Sequence, residues 1–268
     1  MDKLKNDELR SAVRENYGKV AVSGRSGCGC SSSACCGTPK DVTAAEISLA
    51  LGYSSGDVTG VPEGSNMGLG CGNPQAIASL QPGETVLDLG SGGGFDCFLA
   101  ARAVGGRGHV IGVDMTPDMI VKSRQNAEKT GFGNVDFRLG EMENLSVADG
   151  IVDVIISNCV INLSPEKERV FTEAFRVLRP GGRLAISDVV ATAEMPEDIK
   201  KDMALYTGCI AGASSIQEIE SMLHRTGFKN VQIKPKAESK TFIRDWMPGS
   251  RIEDYVVSAT IEALKPQE

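Results

Sequence analysis

Histidine is nearly absent: His109 and His224 are the only two in 268 residues, and neither has a second ligand or a triad partner nearby in sequence. That scarcity argues against imidazole metal sites and histidine acid–base catalysis, so neither residue is assigned a role. Clusters of positive charge are missing too, with 28 Lys and Arg against 35 Asp and Glu and a formal charge of −7. Nucleic acids and anionic membrane surfaces are held by concentrated Lys and Arg, so neither is an expected partner and a small molecule is. No apolar run approaches the roughly 20 residues that cross a bilayer, and the opening MDKLKNDELRSAVRENY is charged throughout. These features predict a soluble, cytoplasmic protein.

Cysteine is plentiful by comparison and unevenly spread. Eight in a chain expected to stay in a reducing compartment read as thiols, not as a disulfide framework. Cys28, Cys30, Cys35 and Cys36 crowd into CGCSSSACCG, which lacks the paired CxxC spacing of a firm zinc site. Cys71, Cys97, Cys159 and Cys209 stand alone. Cys97, inside the apolar FDCFLAARAV, is read as a packed small hydrophobe.

The length fits one large domain with additions. Leu4, Leu9, Val13 and Tyr17 recur at helical spacing over residues 3–20, and a Gly/Ser/Cys segment at 23–38 then breaks the period. Thr43 and Glu46 form a capping box for a helix that stops at Gly52. A glycine-rich loop, GDVTGVPEGSNMGLGCGNP, follows and ends near Cys71. From Gln75 strands and helices alternate, as in a parallel sheet covered on both faces, with strands predicted at 85–89, 109–114, 135–139, 152–157 and 183–188. Thr116, Pro117 and Gly131 bracket one helix; Ser164 and Pro165 are expected to start another that closes at Gly181 and Gly182. Ser215 and Glu218 box a further helix ended by Gly227, before a strand at 230–234. The closing run 254–263 is expected to be an antiparallel edge strand.

In DLGSGGG, the strand ends at Asp88, and Gly90, Gly92 and Gly94 let the backbone turn tightly against a ligand before a helix. Such turns serve several cofactors, and some serve only packing. Two features narrow the choice. Asp114 ends the next strand, where a carboxylate accepts both ribose hydroxyls. Asp88 would repel a pyrophosphate and attract an ammonium, which favours S-adenosylmethionine over NAD. Gly140, Glu141 and Met142 after the third strand are placed to flank adenine, and Asn158 ends the fourth.

VLDLGSGGGFD, GVDMTPDMI, GEMENL and SNCVINLSPEKERVFTEAFRVLRPGGRLAISDV resemble successive motifs of class I S-adenosylmethionine-dependent methyltransferases. Within that superfamily NMGLGCGNP, SNCVINL and YTGCIAGA, around Cys71, Cys159 and Cys209, resemble the arsenite methyltransferases, particularly the microbial branch. The likeness runs from the helix containing Tyr17 to DYVVSATIEALKP. It implies a Rossmann-like, doubly wound α/β fold, its sheet mostly parallel with an antiparallel edge strand. Residues 1–74 would cover the site, 75–190 form the donor-binding core, and 191–268 form an α+β substrate-binding segment packed on it.

The resemblance also implies roles. Tyr17, Asp88, Gly90, Gly92, Asp114, Met115, Met142 and Asn158 would bind S-adenosylmethionine. Cys71, Cys159 and Cys209 would act as thiolate ligands and catalytic residues for arsenite or methylarsenite delivered as thiol conjugates. Soft trivalent arsenic exchanges hydroxide for sulfur, and three thiols match its three bonds. Cys35 or Cys36 corresponds to the family's N-terminal redox cysteine, with a thioredoxin- or glutathione-type reductant as co-substrate. Two other readings remain open on the residues alone. Quinone or sterol-like C-methyltransferases share the core motifs but have no need of three placed thiols. A thiol module that sequesters thiophilic ions would have no need of the Asp88–Gly94 turn.

Overall fold

The computed structural model describes residues 3–23, 42–247 and 250–267. Cys28, Cys30, Cys35 and Cys36 therefore lie outside the described residues, and so does the loop expected at 23–38 beyond Ser23. Helix α1 (Lys3–Ser23) is followed by three short helices, α2 (Ala44–Ala50), α3 (Ser55–Thr59) and α4 (Gln75–Ala78). The core then runs β1 (Thr85–Leu89), α5 (Phe95–Val104), β2 (His109–Asp114), α6 (Pro117–Thr130), β3 (Val135–Leu139), β4 (Val152–Asn158), α7 (Lys167–Val177) and β5 (Leu178–Ala191). After it come α8 (Glu197–Lys201), α9 (Met203–Thr207), α10 (Ile216–Thr226), β6 (Lys229–Lys236), α11 (Lys240–Trp246) and β7 (Val256–Leu264).

The sheet order is β3-β2-β1-β4-β5-β7-β6. Strands β1 to β5 are parallel, and β7 pairs antiparallel with both β5 and β6. Neighbouring residues on each strand feed opposite faces. Leu87, Ile111 and Ile155 pack with Phe171 and Leu223 on one side, whereas Val86, Val110 and Val154 pack with Phe98 and Ile120 on the other. A sheet buried on both faces needs near-continuous apolar strands, which is how β1, β2 and β4 read. Truncating the fully buried Phe98 to alanine is expected to cost about 3–5 kcal/mol.

Local chemistry sets the helix ends. Thr43 and Ser215 form the expected reciprocal boxes with Glu46 and Glu218. Gly131 and Gly227 take the left-handed conformation past their helices, at φ of 72° and 109°. Thr116 precedes Pro117 as expected, but its side chain makes no cap; its N–H instead donates to Asp114 Oδ1 at 2.8 Å.

Two expectations need correction. The helix placed from Ser164 to the Gly181–Gly182 pair is shorter, α7, because Pro180 cannot continue it and β5 already begins at Leu178. Ser164 Oγ caps one turn earlier, accepting from Glu166 N–H at 3.0 Å. The closing run is antiparallel but is not outermost, since β6 lies beyond it. Strand β7 is buried along nearly its whole length, whereas β6 carries Lys229, Lys234, Pro235 and Lys236 and is mostly exposed, the composition of a protected edge.

Helix α1 lies against α6 and α9. Its buried Arg10 reaches Glu143 at 3.3 Å and also contacts Glu166, while Glu143 accepts from Ser164 Oγ at 2.6 Å. Arg14 pairs with Glu141 at 2.5 Å. Glu141 thus turns to α1, and only its neighbours Gly140 and Met142 face the central cavity. Among the described residues, no helix is long and apolar enough to cross a membrane.

Candidate functional site

Strand order brings the sequence motifs together. Because β1 pairs with β4 in the register Leu89↔Ser157, the turn after β1 lies beside Asn158 and Cys159. Because β4 pairs with β5 as Asn158↔Ser187, Cys159 and Asp188 also become neighbours, and Cys159 N–H donates to Ser187 O at 2.8 Å. Strand β1, between β2 and β4, is where successive connections run to opposite sides, and ligands occupy the crevice at the carboxyl ends there.

That crevice is a cavity with about 1040 Å³ of empty space including its mouth. Tyr17, Asp88, Gly90, Gly92, Asp114, Met115, Met142, Asn158 and Cys159 all line it. Gly90 has φ 71°, and a Cβ there would stand 2.4 Å from Val160 Cγ2, so only glycine lets the turn close onto Val160. Gly92 N–H donates to Asp114 Oδ2 at 2.9 Å, which ties the turn to the end of β2.

The wall contains three carboxylates, the buried Asp88 and Asp96 and the half-buried Asp114, and among the described lining residues no Lys, Arg or His. Burial holds all three above the usual carboxylate range, with the Asp96 charge adding to the effect at Asp88. Asp88 Oδ2 accepts from the Cys97 thiol at 3.2 Å, so Cys97 packs in the core as expected and also steadies this carboxylate. Asp96 accepts from Tyr53 Oη at 2.9 and 3.1 Å and from Gln75 Nε2 at 3.3 Å. Such a chamber suits a cation and repels a phosphate.

Asn158 joins this chamber to the first isolated thiol. Its Nδ2 donates to Gly72 O at 2.9 Å, Tyr53 Oη at 3.1 Å and Asp96 Oδ2 at 3.3 Å, and its Oδ1 accepts from Cys71 N–H at 3.1 Å. A Cβ on Gly70 would come 2.6 Å from Asn158 Nδ2, so the loop lies flat on the amide.

Cys71, Cys159 and Cys209 are free, buried, and members of one apolar cluster. Cys71 and Cys159 place their sulfurs within 4.8 Å of each other and of an Asp188 carboxylate oxygen. Cys209 Sγ donates to the Cys159 carbonyl at 2.7 Å, from beside that set. Cys159 and Cys209 have φ of 59° and 64°, left-handed values costly for any side chain and concentrated at functional sites. Mutual hydrogen bonding with Cys209 and Cys71, then burial, raises the Cys159 thiol well above its ordinary pKa, and burial raises Cys71. Burial also lifts Asp188 to about 6. Tyr17 bridges the two regions, lining the cavity and donating from Oη to Thr207 O at 3.2 Å.

A methyltransferase-domain family model matches residues 80–227. The arsenite methyltransferase of Halobacterium salinarum is 55% identical over 266 residues, 97% of this chain and 67% of that protein. The chain belongs to the arsenite methyltransferase family. That of Aquipseudomonas alcaligenes is 44% identical over 179 residues, 64% of this chain and 51% of its own length. The X-ray structure of an arsenic(III) S-adenosylmethionine methyltransferase from Chlamydomonas reinhardtii superposes with a TM-score of 0.59 at 32% identity, over 85% of this chain and 74% of that one. The chain thus spans about two thirds of the Halobacterium relative and half of the Aquipseudomonas one. Its fold is the class I methyltransferase fold, and its donor is S-adenosylmethionine. The cavity fits that donor by charge, offering carboxylates to a sulfonium and an ammonium and, among the described residues, no cation to oppose them.

Sequence reasoning missed Tyr53, Asp96 and Asp188. Asp188 left a signal, a lone charge inside the apolar run LAISDVVA, which demands partners when buried. Asp96 reads as an ordinary acidic first-turn residue, and Tyr53 carries no motif at all.

Proposed function

We propose that this chain methylates trivalent arsenic, as arsenite or methylarsenite delivered on small thiols, with S-adenosylmethionine as donor. The observation that carries this reading is the meeting of Cys71 and Cys159, with Cys209 adjoining, at the wall of an anionic nucleoside-sized cavity. Asp114 holds the ribose, Asp88 the amino-acid ammonium, and Tyr17, Met115, Met142 and Asn158 enclose the rest, with Gly90 and Gly92 giving backbone access. When bound there, S-adenosylmethionine supplies a sulfonium methyl that a nucleophile takes by in-line displacement.

Each thiol entering the arsenic shell gives its proton to the departing hydroxide as water, or to a departing thiolate as thiol. Exchange is therefore proton-neutral, and protonated Cys71 and Cys159 do not prevent it. Three thiolates hold arsenic with its lone pair free, and Cys159, the one of the three that lines the cavity, sets that lone pair toward the donor. Catalysis then comes from proximity and alignment, worth up to about 7–11 kcal/mol in well-oriented systems. Methylation oxidises arsenic by two electrons. Cys35 or Cys36 with a second thiol returns them by forming a disulfide, which a thioredoxin- or glutathione-type reductant resets. Catalysis by free thiols calls for a reducing compartment, and the cytoplasm is the location proposed for the activity. Residues 75–190 serve as the donor-binding core, 1–74 as its cover, and 191–268 as the substrate side that brings Cys209.

The test is incubation of pure protein with arsenite, thiol reductant and methyl-labelled donor, followed by separation of arsenic species. Labelled methylarsenicals are expected. They should vanish in Cys159→Ser and Cys209→Ser while donor affinity stays nearly unchanged; full activity in either variant refutes the assignment.

A further inference from the structure

Among the described residues, the tightest set of potential ligand atoms in the thiol cluster is two sulfurs and an oxygen. Cys71 Sγ, Cys159 Sγ and an Asp188 carboxylate oxygen all lie within 4.8 Å of one another, and all three residues are buried. Cys209 adjoins Cys159, hydrogen-bonding its thiol and, at 2.7 Å, its carbonyl, but is not a member of that set. Trivalent arsenic has no use for the carboxylate, since it takes three sulfurs and keeps a lone pair. A divalent cation of the zinc or cadmium type has no lone pair to place. It takes four ligands in a tetrahedron and accepts thiolate and carboxylate together.

Asp188 is held as a metal-ligating carboxylate usually is, by hydrogen bonds behind it. Its Oδ1 accepts from Val189 N–H at 2.7 Å and Asn162 Nδ2 at 3.0 Å, and its Oδ2 accepts from Ile161 N–H at 2.9 Å. A carboxylate oxygen accepts two such bonds, so Oδ2 keeps one lone pair. Cys159 is fixed by its left-handed backbone and its bond to Ser187 O, one residue before Asp188.

We propose that Cys71, Cys159 and Asp188 form a second ligand set, overlapping the three cysteines but with Asp188 in place of Cys209, that takes a zinc- or cadmium-class divalent cation with water in the fourth position. Binding releases two thiol protons, changes no oxidation state, and shuts the arsenical out. The site goes beyond methyl transfer and does not require it.

The test uses the full chain with Cys28, Cys30, Cys35 and Cys36 replaced by serine, so that those thiols do not contribute. Anaerobic cadmium titration, read by thiolate-to-metal ultraviolet absorption, should show one cation per chain that arsenite displaces. Asp188→Asn should lower cadmium affinity about tenfold or more while arsenite affinity moves less than about threefold. Cys209→Ser should do the reverse. Unchanged cadmium binding in Asp188→Asn, or equal loss of both ligands in either variant, overturns the proposal. Cadmium X-ray absorption on the protein with Asp188 intact guards against misfolding of the variant: two sulfurs with oxygens are expected, and three or more sulfurs refute the site. If arsenite fails to bind at all, the arsenic reading falls, and the cadmium data alone decide this one.

Discussion

Asn158→Ala tests how the donor cavity and the thiol site are joined, because that one amide touches both. Its loss leaves Asp96 with Tyr53 and Gln75, and leaves Tyr53 with Asp96, so the cavity wall stays satisfied. The Cys71 N–H and the Gly72 carbonyl have no other hydrogen bond among the described residues. An orphaned buried group costs about 1–3 kcal/mol, so the Cys71 N–H alone puts a penalty of about 2 kcal/mol on the loop that presents Cys71, equivalent to at least roughly thirtyfold weaker arsenite binding. Donor affinity should fall by less than about tenfold, since Asp88 and Asp114 remain. Arsenite binding can be followed by the fluorescence of Trp246, the sole tryptophan, which packs against the same apolar cluster as Cys71 and Cys209. Calorimetry with S-adenosylhomocysteine gives the other affinity. Arsenite affinity at the unsubstituted level, with the whole loss falling on the cofactor, would show that Asn158 does not join the two sites.

The three carboxylates of the cavity are held protonated too readily by burial, and a cation beside them restores their ionised forms. Donor binding should therefore release protons and strengthen as pH rises; calorimetry in buffers of different ionisation enthalpy should record release, and uptake contradicts the charge argument. Gly90→Ala puts a Cβ against Val160 at a left-handed φ of 71°, so donor binding should be lost while arsenite binding persists, and Val160→Ala in the same chain should recover only part of it. Arg10→Ala leaves the buried Glu143 without its cation and should destabilise the chain by about 3–5 kcal/mol, read as a fall in melting temperature. A shift within that of a surface substitution sinks the view that this pair holds α1 to the core.

Elements defined by local chemistry were legible in the sequence. The boxes at Thr43–Glu46 and Ser215–Glu218, the turn at Gly90, and the apolar strands β1, β2 and β4 each carry their instruction within a few residues. What depended on neighbours distant in sequence was not. The exchange of β6 and β7 at the sheet edge follows from which strand the rest of the fold covers, and the lysines and Pro235 of β6 become informative only once the competition for the edge is posed. At the site, Asp114 and the isolated cysteines stood out by motif. Tyr53, Asp96 and Asp188 act through partners distant in sequence, 105 residues away for Tyr53 and Asn158, and no spacing rule reaches that distance. The short start of α7 was misplaced because Ser164 caps the N–H of Glu166 instead of opening the helix itself.

In the proposed function, Cys71, Cys159 and Cys209 together surround one arsenic atom beside the donor. Arsenic X-ray absorption on the arsenite-loaded chain, with Cys28, Cys30, Cys35 and Cys36 replaced by serine, tests it most directly. A shell of three sulfurs and no oxygen is expected, falling to two sulfurs and one oxygen in each of the variants Cys71→Ser, Cys159→Ser and Cys209→Ser. An unaltered three-sulfur shell in any one of them, or oxygen in the shell before substitution, contradicts it.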